Sequence, residues 1–112
     1  MPKLDRAEVR SAFYGAVNMT AAELSDWLDS EESGKVGFWR EGSTESVGHA
    51  SGRRIVGLLG KPSEELDDAD HAHMRKVVGC IRRHSAQRPE NIYTSRWRYS
   101  LMNWGHDPTK EA

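Results

Sequence analysis

Residues 67–89 read DDADHAHMRKVVGCIRRHSAQRP, and they predict the longest helix of the chain. Asp67 is a suitable N-cap residue, and the carboxylates after it favour the positive N-terminal end of a helix. Pro89 restricts the residue before it, so the helix is predicted over residues 68–87. At about 100° per residue, one side of this helix carries Met74, Val77, Val78, Ile81 and Ser85. The stretch therefore predicts an amphipathic helix that packs on a core.

The opposite side of this helix is strongly cationic and carries Arg75, Lys76, Gly79, Arg82, Arg83 and Ala86. Four cations within an arc of about 120° repel one another unless an anion is present. Gly79 and Ala86 are small enough to let another backbone come near. The pattern indicates contact with phosphates. The ordinary alternative is a solvated face whose cations reach carboxylates elsewhere, such as Glu23, Asp26 and Asp29.

Positive charge is concentrated in the second half of the chain, although the formal net charge is only -1. Residues 1–50 contain five Lys/Arg and nine Asp/Glu, whereas residues 51–112 contain eleven and eight. Within residues 71–106, seven cations accompany a single acid, Glu90. This asymmetry predicts either two surfaces with different partners or self-association through opposite faces.

Four shorter amphipathic patterns predict further helices. The first helix, ending near residue 15, is indicated by apolar residues at Leu4, Val9, Phe13 and Val17. Thr20 and Glu23 form a capping box for a second helix over residues 21–29. A third is predicted over residues 46–59, and the last over residues 95–103. We therefore expect an all-α fold of four or five helices.

Residues 30–45, SEESGKVGFWREGSTE, interrupt the helical pattern. The stretch is rich in Gly, Ser and Glu, and its only sizeable apolar side chains are Val36, Phe38 and Trp39. It predicts one long glycine-rich loop that these side chains anchor. A short hairpin over residues 35–40 is the alternative, although no alternating run supports it.

The size and composition of the chain limit its domain count, its disulfide content and its cellular location. We expect residues 1–112 to form a single compact domain with a frayed tail over about residues 107–112. Cys80 is the only cysteine, so no internal disulfide can form. No segment has the pattern of a signal peptide or a membrane span. The sequence therefore predicts a cytoplasmic protein with no membrane partner.

Residues 93–104, YTSRWRYSLMNW, alternate cations with aromatic rings. Such a segment can hold a nucleic-acid strand by stacking and ion pairing. If the segment is helical, Trp97, Leu101 and Trp104 instead point together and close the core. Arg96 and Arg98 would still face outward, which makes them better binding candidates than the rings.

Residues 48–54, GHASGRR, have a superficial likeness to phosphate-binding and nucleophile motifs. The order GxxxxGK[ST] and the central serine of GxSxG are both absent. We expect these glycines to pack against a neighbouring helix. A helix N-terminus followed by Arg53 and Arg54 is nevertheless a candidate site for one phosphate.

Histidines and the single cysteine are further candidates for chemistry. Cys80 and His84, one helical turn apart, could join His73 or His106 as zinc ligands. However, no CxxC pair or HExxH motif accompanies them, so no metal or cofactor is predicted. His49 and His106 could act as acid or base, but no carboxylate pair or Ser/His/Asp order marks a reaction. The chain is therefore predicted not to be an enzyme.

Four segments together resemble one family. They are VNMTAAELSDWL at residues 17–28, ESVGHASGRRIV at 45–56, DDADHAHMRKVVGCIRRHSAQRP at 67–89 and RWRYSLMNWGHDP at 96–108. Over about residues 12–108, the chain is similar to a family of small proteins catalogued as a domain of unknown function. Some members carry the label DNA-binding. The resemblance implies DNA as a partner, but it assigns no catalytic or binding residue to a position of this chain.

These patterns predict a small DNA-binding protein that contacts duplex phosphates with low sequence specificity. The candidate nucleic-acid-binding residues are Arg75, Lys76, Arg82, Arg83, Arg96, Arg98, Arg53 and Arg54. The alternative is a non-enzymatic protein–protein interaction module whose acidic and basic faces meet a partner or form a homo-oligomer.

Overall fold

Six α-helices and no strand are present in residues 5–110, the part of the chain that the computed structural model describes. The helices are α1 (Arg6–Ala16), α2 (Ala21–Leu28), α3 (Glu31–Gly34), α4 (Val47–Leu59), α5 (Asp68–Ser85) and α6 (Arg96–Asn103). Two 3₁₀ turns occur at Ser63–Glu65 and Pro108–Lys110. The predicted all-α class is confirmed. The count exceeds the predicted four or five because of α3, and five of the six helices have seven residues or more.

Capping residues explain why the helices begin where they do. The Thr20 hydroxyl accepts the Glu23 backbone N–H at 3.1 Å, and the Glu23 carboxylate accepts the Thr20 N–H at 2.8 Å. Asp67 and Asp70 form an equivalent capping box at the start of α5. The predicted ranges for α2, α4, α5 and α6 agree with the structure to within two residues at each end. Leu4, assigned by its spacing to the first helix, lies outside the described residues.

The core forms where two helix pairs meet α6. α1 packs along α5, α2 packs along α4, and α6 contacts α2, α3, α4 and α5. The fully buried apolar side chains include Phe13, Leu24, Ile55, Met74, Val77 and Leu101. Burying one such side chain contributes about 1.5–3 kcal/mol to folding. No helix within the described residues has the length and apolar character that crossing a membrane requires.

The glycines of residues 48–54 serve helix packing. A Cβ atom at Gly52 would lie 2.5 Å from the Asn103 carbonyl oxygen and 2.7 Å from a methyl group of Leu28. At Gly48, it would lie 2.9 Å from the indole nitrogen of Trp104. Contacts this short leave no room for a side chain, so glycine lets α4 approach α2 and α6 closely. This is the packing role predicted from the sequence.

The segment at residues 30–45 differs from the predicted glycine-rich loop. It begins with α3, and Ser33 is fully buried, where its carbonyl oxygen accepts a hydrogen bond from Asn103 Nδ2 at 3.1 Å. Val36 is buried as expected, but Phe38 is 71% exposed and Trp39 is 42% exposed. The two aromatic residues are therefore not anchors. The polar contact with Asn103 fixes the segment instead, and no hairpin forms.

Residues 107–110, for which the sequence predicted fraying, are folded against the rest of the protein. The Asp107 backbone N–H donates to Asn18 Oδ1 at 2.7 Å, and Asn18 Nδ2 donates to the Asp107 carbonyl at 2.9 Å. Lys110 Nζ contacts the Glu23 carboxylate at 2.6 Å, which lowers the pKa of Glu23. These contacts join the C-terminal turn to α2 and to the segment before it. Residues 111 and 112 of the predicted tail lie outside the described part.

Candidate nucleic-acid interface

Four cations occupy the exposed side of α5. We call Arg75, Lys76, Arg82 and Arg83 the α5 basic face, and all four are exposed. Arg75 and Arg82 are seven residues apart, as are Lys76 and Arg83, so each pair forms a row about 10 Å long. Between the rows, at the same spacing, lie the small residues Ala72, Gly79 and Ala86. The opposite side of α5 is buried against the core.

None of these four cations forms an ion pair with a carboxylate in residues 5–110. Arg83 folds back along its own helix, where its guanidinium donates to Cys80 Sγ at 3.4 Å and lies over Gly79. A thiol carries no charge that would neutralise a cation. The positive charge of the α5 basic face is therefore available to an external anion.

The carboxylates at the start of α5 pair with cations from other elements. Asp68 pairs with Arg6 of α1. Asp70 accepts a hydrogen bond from Lys61 at 2.8 Å and contacts Arg54 at 3.5 Å. The hydrogen bond from Lys61 is the main reason that the pKa of Asp70 falls to about 2. These acids do not offset the charge of the α5 basic face.

Arg98 is bound inside the protein. Its guanidinium holds Asp107 through two contacts of 3.2 Å and donates to the Tyr93 carbonyl at 2.7 Å. Its side chain is only 23% exposed, and that of Asp107 is 11% exposed. Burial raises the pKa of Asp107, but hydrogen bonds from Arg98 and Thr109 outweigh this effect, so the pKa is lowered overall. The expectation that Arg98 faces outward is wrong, because its charge is used to hold the C-terminal turn.

The other three candidate arginines also have partners within the protein. Arg53 pairs with Glu45, and Arg54 pairs with Asp70, so these neighbours on α4 reach different elements. Arg96 is exposed and donates to the Lys35 carbonyl at 3.0 Å, which leaves its charge without a carboxylate in residues 5–110. The structure therefore separates one cationic helix face from a set of cations with internal partners.

The aromatic residues of the C-terminal segment are largely used in packing. Leu101 is fully buried, and Trp104 is 6% exposed. The Trp97 indole N–H donates to the His84 carbonyl, which joins α6 to the end of α5. Tyr93, at 65% exposure, is the ring of this segment most open to solvent. The helical interpretation of the segment is confirmed, and a continuous stacking surface is not formed.

A cleft of about 560 Å³ opens beside the α5 basic face, between residues 40–47, α4 and α5. Its lining includes Arg40, Glu45, Ser51, Arg54, His73 and Lys76. Ser51 Oγ and His73 Nε2 form a hydrogen bond of 2.8 Å. Burial, together with the nearby charges of Arg54 and Lys76, lowers the pKa of His73 to about 4. Sequence reasoning missed this cleft because three separate segments supply its polar groups.

The residues considered as zinc ligands are not brought together. His73 bonds to Ser51, while His84 Nδ1 donates to the Cys80 carbonyl oxygen at 2.9 Å. His106 Nδ1 donates to the Ala16 carbonyl at 2.7 Å, at the far end of α1. In the described part of the chain, no group of three or more His, Cys, Asp or Glu side chains is placed to hold a metal ion.

Comparison with known proteins gives the family of the chain. Residues 12–102 match the family described as "Protein of unknown function (DUF3140)". This range includes the α5 basic face and the lining of the cleft. The description names no ligand, so it does not carry the DNA-binding label that the resemblance implied. No curated protein and no solved structure matches the chain. The protein belongs to the DUF3140 family of proteins of unknown function.

Proposed function

We propose that this protein binds nucleic acid, and duplex DNA in particular, through phosphate contacts made by the α5 basic face. The observation that carries the proposal is the presence of four exposed cations on one helix face with no carboxylate partner in residues 5–110. Like charges this close repel one another. A polyanion removes the repulsion and releases its own counterions on binding.

The layout of the α5 basic face suits a phosphate backbone better than base edges. Two rows of cations flank Ala72, Gly79 and Ala86, and the Arg83 guanidinium lies over Gly79 between them, so cationic groups spread across the face, where phosphates can contact them. Contacts of this kind position a protein on the duplex but do not read its sequence. We therefore propose low sequence specificity. Arg96 is a further contact, because it is exposed and bonds only to a carbonyl among the described residues.

Helix electrostatics offers a partial structural explanation for two of the four cations. Arg82 and Arg83 lie in the last turn of α5, where a positive charge interacts favourably with the helix dipole. Arg75 and Lys76 lie nearer the middle of the helix, where the dipole gives no such benefit. The helix dipole therefore does not explain why these two cations are exposed without an ion-pair partner.

The proposal is tested by titrating a fluorescent 20-base-pair duplex with wild-type protein and with the variant Arg75→Ala/Lys76→Ala. At 0.1 M salt, we expect a loss of about eightfold in affinity per contact removed, because each phosphate contact contributes a slope of about 0.9 in log affinity against log salt. The matched control is Lys35→Ala/Arg53→Ala, which removes two exposed cations outside α5. Equal losses in the two variants would show that net charge matters and the α5 basic face does not.

Self-association is the second candidate function. Asp26, Asp29 and Glu32, around the end of α2 and in α3, are exposed and pair with no cation in the described residues. Such a surface complements the α5 basic face of another copy. Sedimentation of the pure protein separates the two candidates. Oligomers that dissociate at high salt, without affinity for DNA, would favour self-association.

A further inference from the structure

The cleft beside α5 combines features that the proposed duplex contact does not use. Its cations come from three separate elements: Arg40 from the segment before α4, Arg54 from α4 and Lys76 from α5. Its volume of about 560 Å³ is within the range of small-molecule sites in proteins. Only Lys76 also belongs to the α5 basic face. The cleft is therefore a candidate ligand site separate from the duplex contact.

The charge balance of the lining favours an anion with two negative charges. Glu45 lines the cleft, but it accepts hydrogen bonds from His49 at 2.6 Å and from Arg53, and the first of these is the main cause of its lowered pKa. Arg54 is partly neutralised by Asp70 at 3.5 Å. Arg40 and Lys76 pair with no carboxylate in the described residues. Two uncompensated cations thus remain.

Neutral hydrogen-bond donors accompany these cations. His73 is uncharged at neutral pH, because its pKa lies near 4. When its Nε2–H donates to Ser51 Oγ, the Ser51 hydroxyl proton is free to bind an oxygen atom in the cleft. Ser43 and Thr44 add two more hydroxyl groups on the opposite wall. Cations together with several hydroxyl donors match the oxygen-rich surface of a phosphate group.

The turn that carries Arg40 is held in a defined shape. The Ser43 backbone N–H donates to the Arg40 carbonyl at 3.0 Å, and Gly42 between them has a φ of +80°, which favours glycine. The Val47 N–H donates to the Phe38 carbonyl at 2.8 Å and joins this segment to the start of α4. The wall of the cleft opposite α5 is thus built by backbone hydrogen bonds.

We propose that this cleft binds a phosphate monoester, with Arg40 and Lys76 as the charge-bearing contacts and Ser51 as a hydroxyl donor. The group is carried either by a small molecule such as a nucleotide or by the 5′ end of a nucleic-acid strand, and the two sources share the same chemistry. The proposal does not depend on duplex binding by the α5 basic face. Because Lys76 belongs to both sites, the two proposals are separated with Arg40, which only the cleft uses, and with Arg82 and Arg83, which only the α5 basic face uses.

Calorimetric titration of the full chain with adenosine 5′-monophosphate and with adenosine tests this proposal. We expect heat of binding from the monophosphate and none from the nucleoside. Arg40→Ala should weaken binding at least tenfold, while Arg40→Lys, which keeps the charge, should weaken it less. Equal binding of the two compounds, or full affinity in Arg40→Ala, would overturn the proposal. Because Arg40 is exposed, the variant should fold normally.

The matched control is Arg82→Ala/Arg83→Ala, which changes α5 outside the cleft lining. It should retain full affinity for the monophosphate and lose affinity for duplex DNA, whereas Arg40→Ala should do the reverse. Loss of monophosphate binding in the Arg82/Arg83 variant would place the ligand on the α5 basic face and overturn the assignment to the cleft. This crossed result separates failure of the cleft proposal from failure of the duplex proposal.

Single-stranded oligonucleotides with and without a 5′ phosphate identify the source of the group. If strand ends are the ligand, the phosphorylated strand should bind more tightly, and Arg40→Ala should abolish the difference. Equal binding of the two strands, combined with tight binding of the monophosphate, would assign the cleft to a small molecule. If neither the phosphorylated strand nor the monophosphate responds to Arg40→Ala, the cleft does not bind a phosphate monoester.

Discussion

Arg82 on α5 and Arg98 on α6 belong to two helices that contact each other, yet their guanidinium groups have different surroundings. Arg82 is exposed and pairs with no carboxylate in residues 5–110. Arg98 is mostly buried, holds both oxygens of Asp107 and also reaches the Tyr93 carbonyl. The difference shows that a dense run of arginines in a sequence combines free charge with charge already used to hold the fold.

Replacement of Arg98 should give the largest effect on stability. Arg98→Ala leaves the carboxylate of Asp107 mostly buried without its cation, and breaking such a pair costs about 3 kcal/mol or more. Arg82→Ala, by contrast, should change the free energy of unfolding by less than about 0.5 kcal/mol. Urea unfolding followed by circular dichroism measures both. Similar losses in the two variants would show that Arg98 is not a structural residue.

The effect of Arg98 on stability should also depend on pH. The folded-state pKa of Asp107 is lowered, so its ion pair contributes fully above the unfolded pKa, about 4, and is lost as the pH falls through the lower folded value. The difference in stability between wild type and Arg98→Ala should therefore shrink on acidification below about pH 4. The corresponding difference for Arg82→Ala should stay flat. A difference for Arg98→Ala that is constant down to pH 2 would contradict this assignment.

The loss of stability caused by Arg53→Ala should lie between the losses caused by Arg98→Ala and Arg82→Ala. It pairs with Glu45, but its side chain is 65% exposed, and exposed ion pairs contribute about 0–1 kcal/mol. Arg53→Ala should lower the free energy of unfolding by no more than that, and the loss should disappear at 1 M salt because screening weakens the pair. A loss as large as that of Arg98→Ala would mean that pairing, rather than burial, sets the cost.

The sequence predicted those parts of the fold that depend on residues close together in the chain. Thr20 with Glu23, and Asp67 before the apolar pattern of α5, act over three or four residues, so helix starts could be located from the sequence. Asn103 and Ser33 are far apart in the chain, and neither residue type indicates burial. Their contact, which fixes residues 30–45, could not be foreseen.

The residues of the candidate site could likewise be predicted only where a local sequence pattern determines their position. Helical periodicity alone placed Arg75 and Lys76 on one exposed face, and this placement is confirmed. The pairing of Arg98 with Asp107 depends on a turn between α6 and the C-terminal segment, which periodicity does not describe. The cleft is still less accessible to sequence reasoning, because Ser51 and His73 meet only when α4 packs near α5.

The most direct test of the account compares the salt dependence of duplex binding in the wild type and in the variant Arg75→Ala/Lys76→Ala/Arg82→Ala/Arg83→Ala. If all four residues of the α5 basic face contact phosphates, the slope of log affinity against log salt should fall by about 3.6, which is about 0.9 for each contact. A wild-type protein without affinity for DNA, or a variant that keeps the wild-type slope, would contradict the claim that this face carries free charge for a polyanion.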